Sequence, residues 1–171
     1  MTIAMQPIYT QTVSGTSTIA ITFNNIPQTF TDLKIAISAR ANSFNTSLQL
    51  TMSVNVDSSS LYSTTYLYGS GSATSSSRQS TTYWLLGNIN NAGQTSNTFN
   101  SVDCYLPNYV GSNFKQMIAD SVTENNATAA DQWLIANLYR STNPITSLSV
   151  GIFGQIIAPN STFTLYGITK G

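Results

Sequence analysis

Asn160-Ser161-Thr162-Phe163-Thr164-Leu165-Tyr166-Gly167-Ile168 is the stretch whose reading decides the fold. Ala158-Pro159-Asn160 ahead of it is turn chemistry, because Pro fixes φ and Asn tolerates turn geometry. The residues then alternate, with Phe163 and Leu165 on one face and Thr162, Thr164 and Tyr166 on the other. Only Thr169, Lys170 and Gly171 follow. A terminal segment this apolar would fray and aggregate unless paired and covered. The stretch therefore reads as an interior strand, flanked by strands from earlier in the chain.

Upstream, period-two alternation recurs. Ile19, Ile21 and Phe23 share a face, and Leu33, Ile35, Ile37, Ala39 and Ala41 share another, with Lys34, Ser38 and Arg40 opposite. Leu48, Leu50, Met52 and Val54 alternate, as do Val102, Cys104 and Leu106 after Phe99. Segments 61–68, 82–89, 114–120 and 133–139 are β-compatible, and Ile145, Leu148, Val150 and Ile152 alternate with one slip of phase that suggests a bulge. Residues 1–10 read as a short arm or an edge strand, with Pro7 favouring an edge. Residues 11–171 read as one domain. Gly69 to Ser80 is a Gly/Ser-rich run and reads as a mobile surface loop. Ala127 to Asp131 is the weakest helix candidate. The expectation is an all-β, antiparallel two-sheet β-sandwich, jelly-roll-like, with about nine or ten strands.

The chain has 171 residues, of which 41% are hydrophobic and only 7% charged, with a formal net charge of zero. Apolar content at this level sets it apart from disordered chains. The six cations, Lys34, Arg40, Arg78, Lys115, Arg140 and Lys170, are scattered. Neither nucleic acid nor an anionic membrane is an expected partner. No apolar run reaches membrane-spanning length, and the N-terminus lacks the features of a secretory signal. The single Cys104 rules out an intrachain disulfide.

The chain has no histidine. That removes His-based nucleophile activation and every imidazole metal site. Cys104 is in phase with Val102 and Leu106 and reads as a buried, inert thiol. Asp120 could converge with Glu124 or Asp131 as a glycosidase pair, but strand-end and turn carboxylates are the plainer reading. Asn55-Val56-Asp57-Ser58-Ser59 has alternating oxygen ligands but lacks the glycine and glutamate of a calcium loop. No catalytic residue, cofactor or metal site is expected, and the protein is not expected to be an enzyme. Tyr62, Tyr66 and Tyr68, with Tyr83 and Trp84, are amphipathic contact residues. For this cluster, core and partner contact stand as even alternatives.

Thr12-Val13-Ser14-Gly15, Ile26-Pro27-Gln28-Thr29-Phe30-Thr31-Asp32-Leu33, Ile37-Ser38-Ala39-Arg40 and Leu67-Tyr68-Gly69-Ser70-Gly71-Ser72-Ala73 follow one another in order. Ser96-Asn97-Thr98-Phe99, Leu106-Pro107-Asn108-Tyr109, Tyr139-Arg140-Ser141-Thr142, Ile145-Thr146-Ser147 and the final strand complete the set. In these patches the chain resembles a family of small β-rich virion proteins of tailed bacteriophages, found as head decoration proteins and as fibre or tail domains. The loop 55–60 departs from the glycine-containing version of that pattern. The resemblance implies a viral structural protein of the virion, made in the host cytoplasm and not secreted. The leading expectation is a capsid decoration (cement) protein. Its partners would be the major capsid protein and copies of itself in a homotrimer. The alternative is a tail fibre or spike tip that binds a host surface glycan through Tyr62, Tyr66 and Tyr68.

Overall fold

The computed structural model describes residues 4–45, 48–126 and 130–169, and among these there is no helix. Twelve strands form two antiparallel sheets: β1 (Ala4–Thr12), β2 (Ala20–Phe23), β3 (Asp32–Ala39), β4 (Gln49–Val54), β5 (Tyr62–Gly69), β6 (Thr74–Thr81), β7 (Trp84–Asn88), β8 (Asn100–Pro107), β9 (Lys115–Val122), β10 (Gln132–Tyr139), β11 (Leu148–Ile152) and β12 (Thr162–Thr169). The large sheet runs β1-β12-β3-β8-β9-β10-β5-β6 and the small one β2-β11-β4-β7. The protein is an all-β sandwich. Its two strands beyond the expected nine or ten are β1 and β6.

The final strand is interior, as its pattern requires. β12 pairs with β1 on one side and with β3 on the other. Phe163 and Leu165 are buried and meet Ile37 and Ile35 directly across the ladder. Leu33, Ile35, Ile37, Ala39 and Ala41 are all buried, and so are Val102, Cys104 and Leu106 on β8. Leu50, Met52, Val54, Leu148, Val150 and Ile152 supply the facing layer from the small sheet. Sequence alternation has become two inner faces that interdigitate. Burial also pushes the Cys104 thiol above its ordinary pKa, in keeping with an inert side chain.

Four expectations need correction. The run 69–80 is not a loop. Ser70 to Ala73 makes a short turn, closed by the Ser70 amide on the Ala73 carbonyl at 2.9 Å, and Thr74 to Thr81 pairs with β5 without a break. Ser and Thr side chains carry no inside–outside pattern when both faces are exposed, so composition hides a strand held by its backbone. Ile19 does not join Ile21 and Phe23 in the core; the β2–β11 register ends at Ala20, and Ile19 lies exposed beyond it. Arg40 is buried rather than solvent-facing. Its guanidinium donates to the carbonyls of Gln94, Thr95 and Thr98 at 3.0, 2.9 and 2.7 Å, pinning the loop ahead of β8. In the helix candidate, Ala127 to Ala129 lie outside the described residues, and Ala130 and Asp131 are not helical. Met1 to Ile3 of the proposed arm also lie outside them; the rest of it belongs to β1, an edge strand continuous with the domain.

A four-stranded sheet covers only part of an eight-stranded one. β7, the edge of the small sheet, lies under β9, β10 and β5. It reads Trp84-Leu85-Leu86 with all three buried. Gly87 follows at φ 100°, where a Cβ would sit 2.6 Å from the Ser121 hydroxyl. β1 and β6, at the two ends of the large sheet, are mostly exposed on both faces.

Because Leu165 faces the inner layer of a strand held on both sides, Leu165→Ala is expected to cost about 2–5 kcal/mol. For a domain of this size that is a fall in Tm of roughly 2–4 °C per kcal/mol, read by calorimetry or denaturant unfolding.

Candidate functional site

The three tyrosines for which core and partner contact stood as alternatives do not share one environment. Tyr62, the first residue of β5, is 0% exposed and is a core residue, which corrects its assignment as a contact. Its ring packs against Tyr139 at 4.7 Å and edge-on against Trp84 at 6.2 Å. Its hydroxyl accepts the Val54 amide at 3.0 Å and donates to the Asp57 carbonyl at 2.9 Å. Burial raises its pKa. Tyr66 and Tyr68 lie further along β5, half-buried, on the inner side of the overhanging sheet end. Tyr68 stacks on Trp133 at 4.8 Å and 16°, and Tyr66 leans on the same indole at 4.8 Å. They form an aromatic shelf behind β6.

Asp120 does not share a groove with Glu124 or Asp131. Asp120 is on the outer face of β9, opposite Asp103 on β8 and Leu134 on β10. Lys34 forms an ion pair with Asp103 at 2.9 Å, partly balancing that juxtaposition of like charge. Glu124 and Asp131 do share a groove of about 800 Å³ with Tyr68, Val122 and the β5–β6 turn, and Asp120 does not line it. Both groove carboxylates are engaged locally: Glu124 accepts the Asn126 amide at 2.7 Å, and Asp131 accepts the Asn88 side-chain amide at 2.6 Å. Among the described residues there is no cluster of three or more acidic or thiol side chains that could hold a metal.

The loop 55–60 is a structural clamp. Asn55 (φ 52°) accepts the amides of Thr146 and Ser147 at 2.8 and 3.1 Å and donates to the Pro144 carbonyl at 2.9 Å. Asp57 accepts the Ser59 amide at 2.7 Å and the Tyr139 hydroxyl at 2.5 Å. The bonds from Ser59 and then Tyr139 hold the Asp57 carboxyl below the usual range. The Tyr139 phenol, chiefly through burial, is pushed up to about 12. The oxygens that resembled calcium ligands are thus spent on the protein's own turn.

What single-sequence reasoning missed is the outer face of the large sheet. Leu67 on β5, Leu134 on β10 and Ile118 on β9 are 57%, 55% and 56% exposed, and Val122 extends the group. Leu67 is directly opposite Leu134; Ile118 and Val122 lie on the two diagonals from Leu134 across the β9–β10 ladder. In the sequence these were the out-of-phase residues of apolar strands, and alternation gave no reason to think they would meet. A second apolar group, Ile19, Val56, Tyr83 and Phe153, rims a groove of about 370 Å³ on the small sheet, floored by Thr51, Ser53 and Ser149. There Phe153 packs edge-on against Tyr83 at 4.7 Å.

No protein-family model matches the chain, and no curated protein matches it.

The Asp57 clamp has a pH signature. A carboxylate whose folded pKa is depressed stabilises the fold above its unfolded value of about 3.9 and loses that contribution as pH falls through the folded value. Tyr139→Phe removes one of the bonds responsible. It should lower stability at pH 7 and flatten the stability–pH curve below about pH 4. Urea unfolding across that range checks both.

Proposed function

We propose that this protein is a structural, non-catalytic component of a bacteriophage virion, a capsid decoration protein that binds the head lattice and stabilises it. The observation that carries the reading is the exposed apolar group Leu67, Ile118, Val122 and Leu134 on a regular sheet face. Neighbouring exposed apolar side chains of this kind, here grouped around Asp120, support a contact with another macromolecule. The rest of the surface suits permanent assembly: it has few charges, zero net charge and therefore little to keep copies apart. The ordered patches in which the sequence resembles small β-rich virion proteins support the same reading. In this reading the apolar face lies on the major capsid protein, and the ends of the large sheet remain for contacts between copies.

The second reading, a fibre or spike tip that binds a host glycan, is favoured by the small-sheet groove. Tyr83 and Phe153 rim a floor of hydroxyl groups there. An aromatic wall over neutral hydroxyls suits a sugar ring, which has apolar faces and polar edges.

The test is occupancy on purified particles. An Ile118→Lys, Leu134→Lys double variant should keep its circular dichroism spectrum, because both side chains face outward. Its binding to undecorated heads should fall by tenfold or more, given about 1.5–3 kcal/mol for each buried apolar side chain. Unchanged head binding, or binding to tails in place of heads, rejects the decoration reading. Loss of host adsorption in Tyr83→Ala, Phe153→Ala virions would support the glycan reading instead.

A further inference from the structure

Among the described residues the two sheets present four edges, and three of them are spoiled for pairing. β1 carries Pro7, which has no N–H to donate, and its register to β12 slips between Pro7 and Tyr9. β2 is four residues long. β7 holds Gly87 at positive φ, and its register to β4 shifts between Gln49 and Thr51. β6 differs from all three. Its eight residues pair with β5 in unbroken register, contain neither Pro nor Gly, and are largely exposed. Natural sheets blunt a long regular edge because it templates further pairing. Here Arg78 is the single charged residue along it.

The direction of the β6 backbone groups follows from the turn. The Ser70 amide donates to the Ala73 carbonyl, which makes 70 and 73 a hydrogen-bonded pair. Such pairs alternate along an antiparallel ladder. Ser75, Ser77, Gln79 and Thr81 therefore direct their N–H and C=O groups to β5. Thr74, Ser76, Arg78 and Ser80 direct theirs to the open edge.

We propose that β6 is a pairing edge for a second copy of this chain. Two β6 strands join antiparallel about a two-fold axis at Ser77, so that the large sheet runs on through the dimer. The strand is complementary to itself in this register. Thr74 pairs with Ser80 of the second copy, and Ser76 with Arg78, so all four outward-directed residues on each strand are satisfied. A register centred on Arg78 would set two guanidinium groups face to face. One centred on Ser76 would leave Ser80 unpaired. The side chains involved are Ser, Thr, Gln and Arg. They pair with one another across strands but offer no apolar pockets for reading an unrelated extended peptide, the usual source of specificity when a foreign strand is added. The contact is isologous, as two-fold dimers require. It stands whether or not the protein sits on a capsid, and it gives a dimer where the sequence resemblance implies a trimer.

Ser77→Cys tests the register directly. At the two-fold axis Ser77 occupies a non-hydrogen-bonded position, where facing Cα atoms lie about 4.5 Å apart, within disulfide range. Cys104 is buried and does not compete. Mild oxidation should convert the Ser77→Cys protein to a covalent dimer on a non-reducing gel, while Ser75→Cys, displaced from the axis, stays monomeric on the same gel. By light scattering the unaltered chain should have twice the monomer mass. Ser76→Pro, which removes an outward N–H and no bond to β5, should have the monomer mass with an unchanged circular dichroism spectrum. A monomeric or trimeric unaltered chain overturns the proposal, as does a dimer that Ser76→Pro leaves intact or equal cross-linking at positions 75 and 77.

Discussion

The ladder that holds β12 between β1 and β3 governs the rest of the structure, because it orients the inner face of the large sheet. Once Phe163 and Leu165 point inward opposite Ile37 and Ile35, the period of two propagates the same choice across β3, β8, β9, β10 and β5. A slip of one residue anywhere along that path would move a whole row of apolar side chains into water. The small sheet answers with Met52, Val54, Leu148 and Val150, all buried. The ladder runs from one end of the chain to the other: β12 is last in sequence, and its partner β1 is first.

Unequal strand numbers then decide where the protein is exposed. The four-stranded sheet can shield only the middle of the eight-stranded one, so the ends overhang. At one end this leaves β1, with a proline and a bulge to discourage pairing. At the other it leaves the aromatic shelf of Tyr66, Tyr68 and Trp133 with β6 in front of it. The outer face needs no cover from the small sheet and carries Leu67, Ile118 and Leu134 into solvent. The exposed apolar side chains and the open sheet edge are thus by-products of how a long sheet is packed against a short one. Buried cations serve the same scaffold: Arg40 and Lys115 donate to backbone carbonyls of loops, where they fix chain paths. Burial lowers the pKa of both groups, the cost of placing them there.

Polar residues that looked like candidates for chemistry turn out to close turns. Asp57 holds Ser59 and Tyr139, Asn55 ties its loop to the approach to β11, and Asp131 holds Asn88. Tyr62 is the clearest case. Its position in a tyrosine-rich stretch suggested a contact residue, yet it sits at the start of β5, where the small sheet still covers the large one. Tyr66 and Tyr68, on the same face of the same strand, lie past that cover and keep part of their surface. The three have one chemistry and one strand; what separates them is distance from the edge of the facing sheet.

The amino-acid sequence by itself determined the class of fold, the inward faces of β2, β3, β4, β8, β11 and β12 and the burial of Cys104, because alternation is a local property that a single strand carries in its own residues. It also determined the lack of imidazole chemistry. Tertiary structure alone decided that Thr74 to Thr81 is a strand, since its side chains have no face to prefer and only pairing with β5 defines it. It alone brought Leu67, Ile118, Val122 and Leu134 together and buried Arg40, because those outcomes depend on which strands become neighbours. Neighbour relations such as Leu67 beside Leu134, or Arg40 beside the loop 94–98, are set by the packing of two whole sheets, and no short window of the sequence contains them.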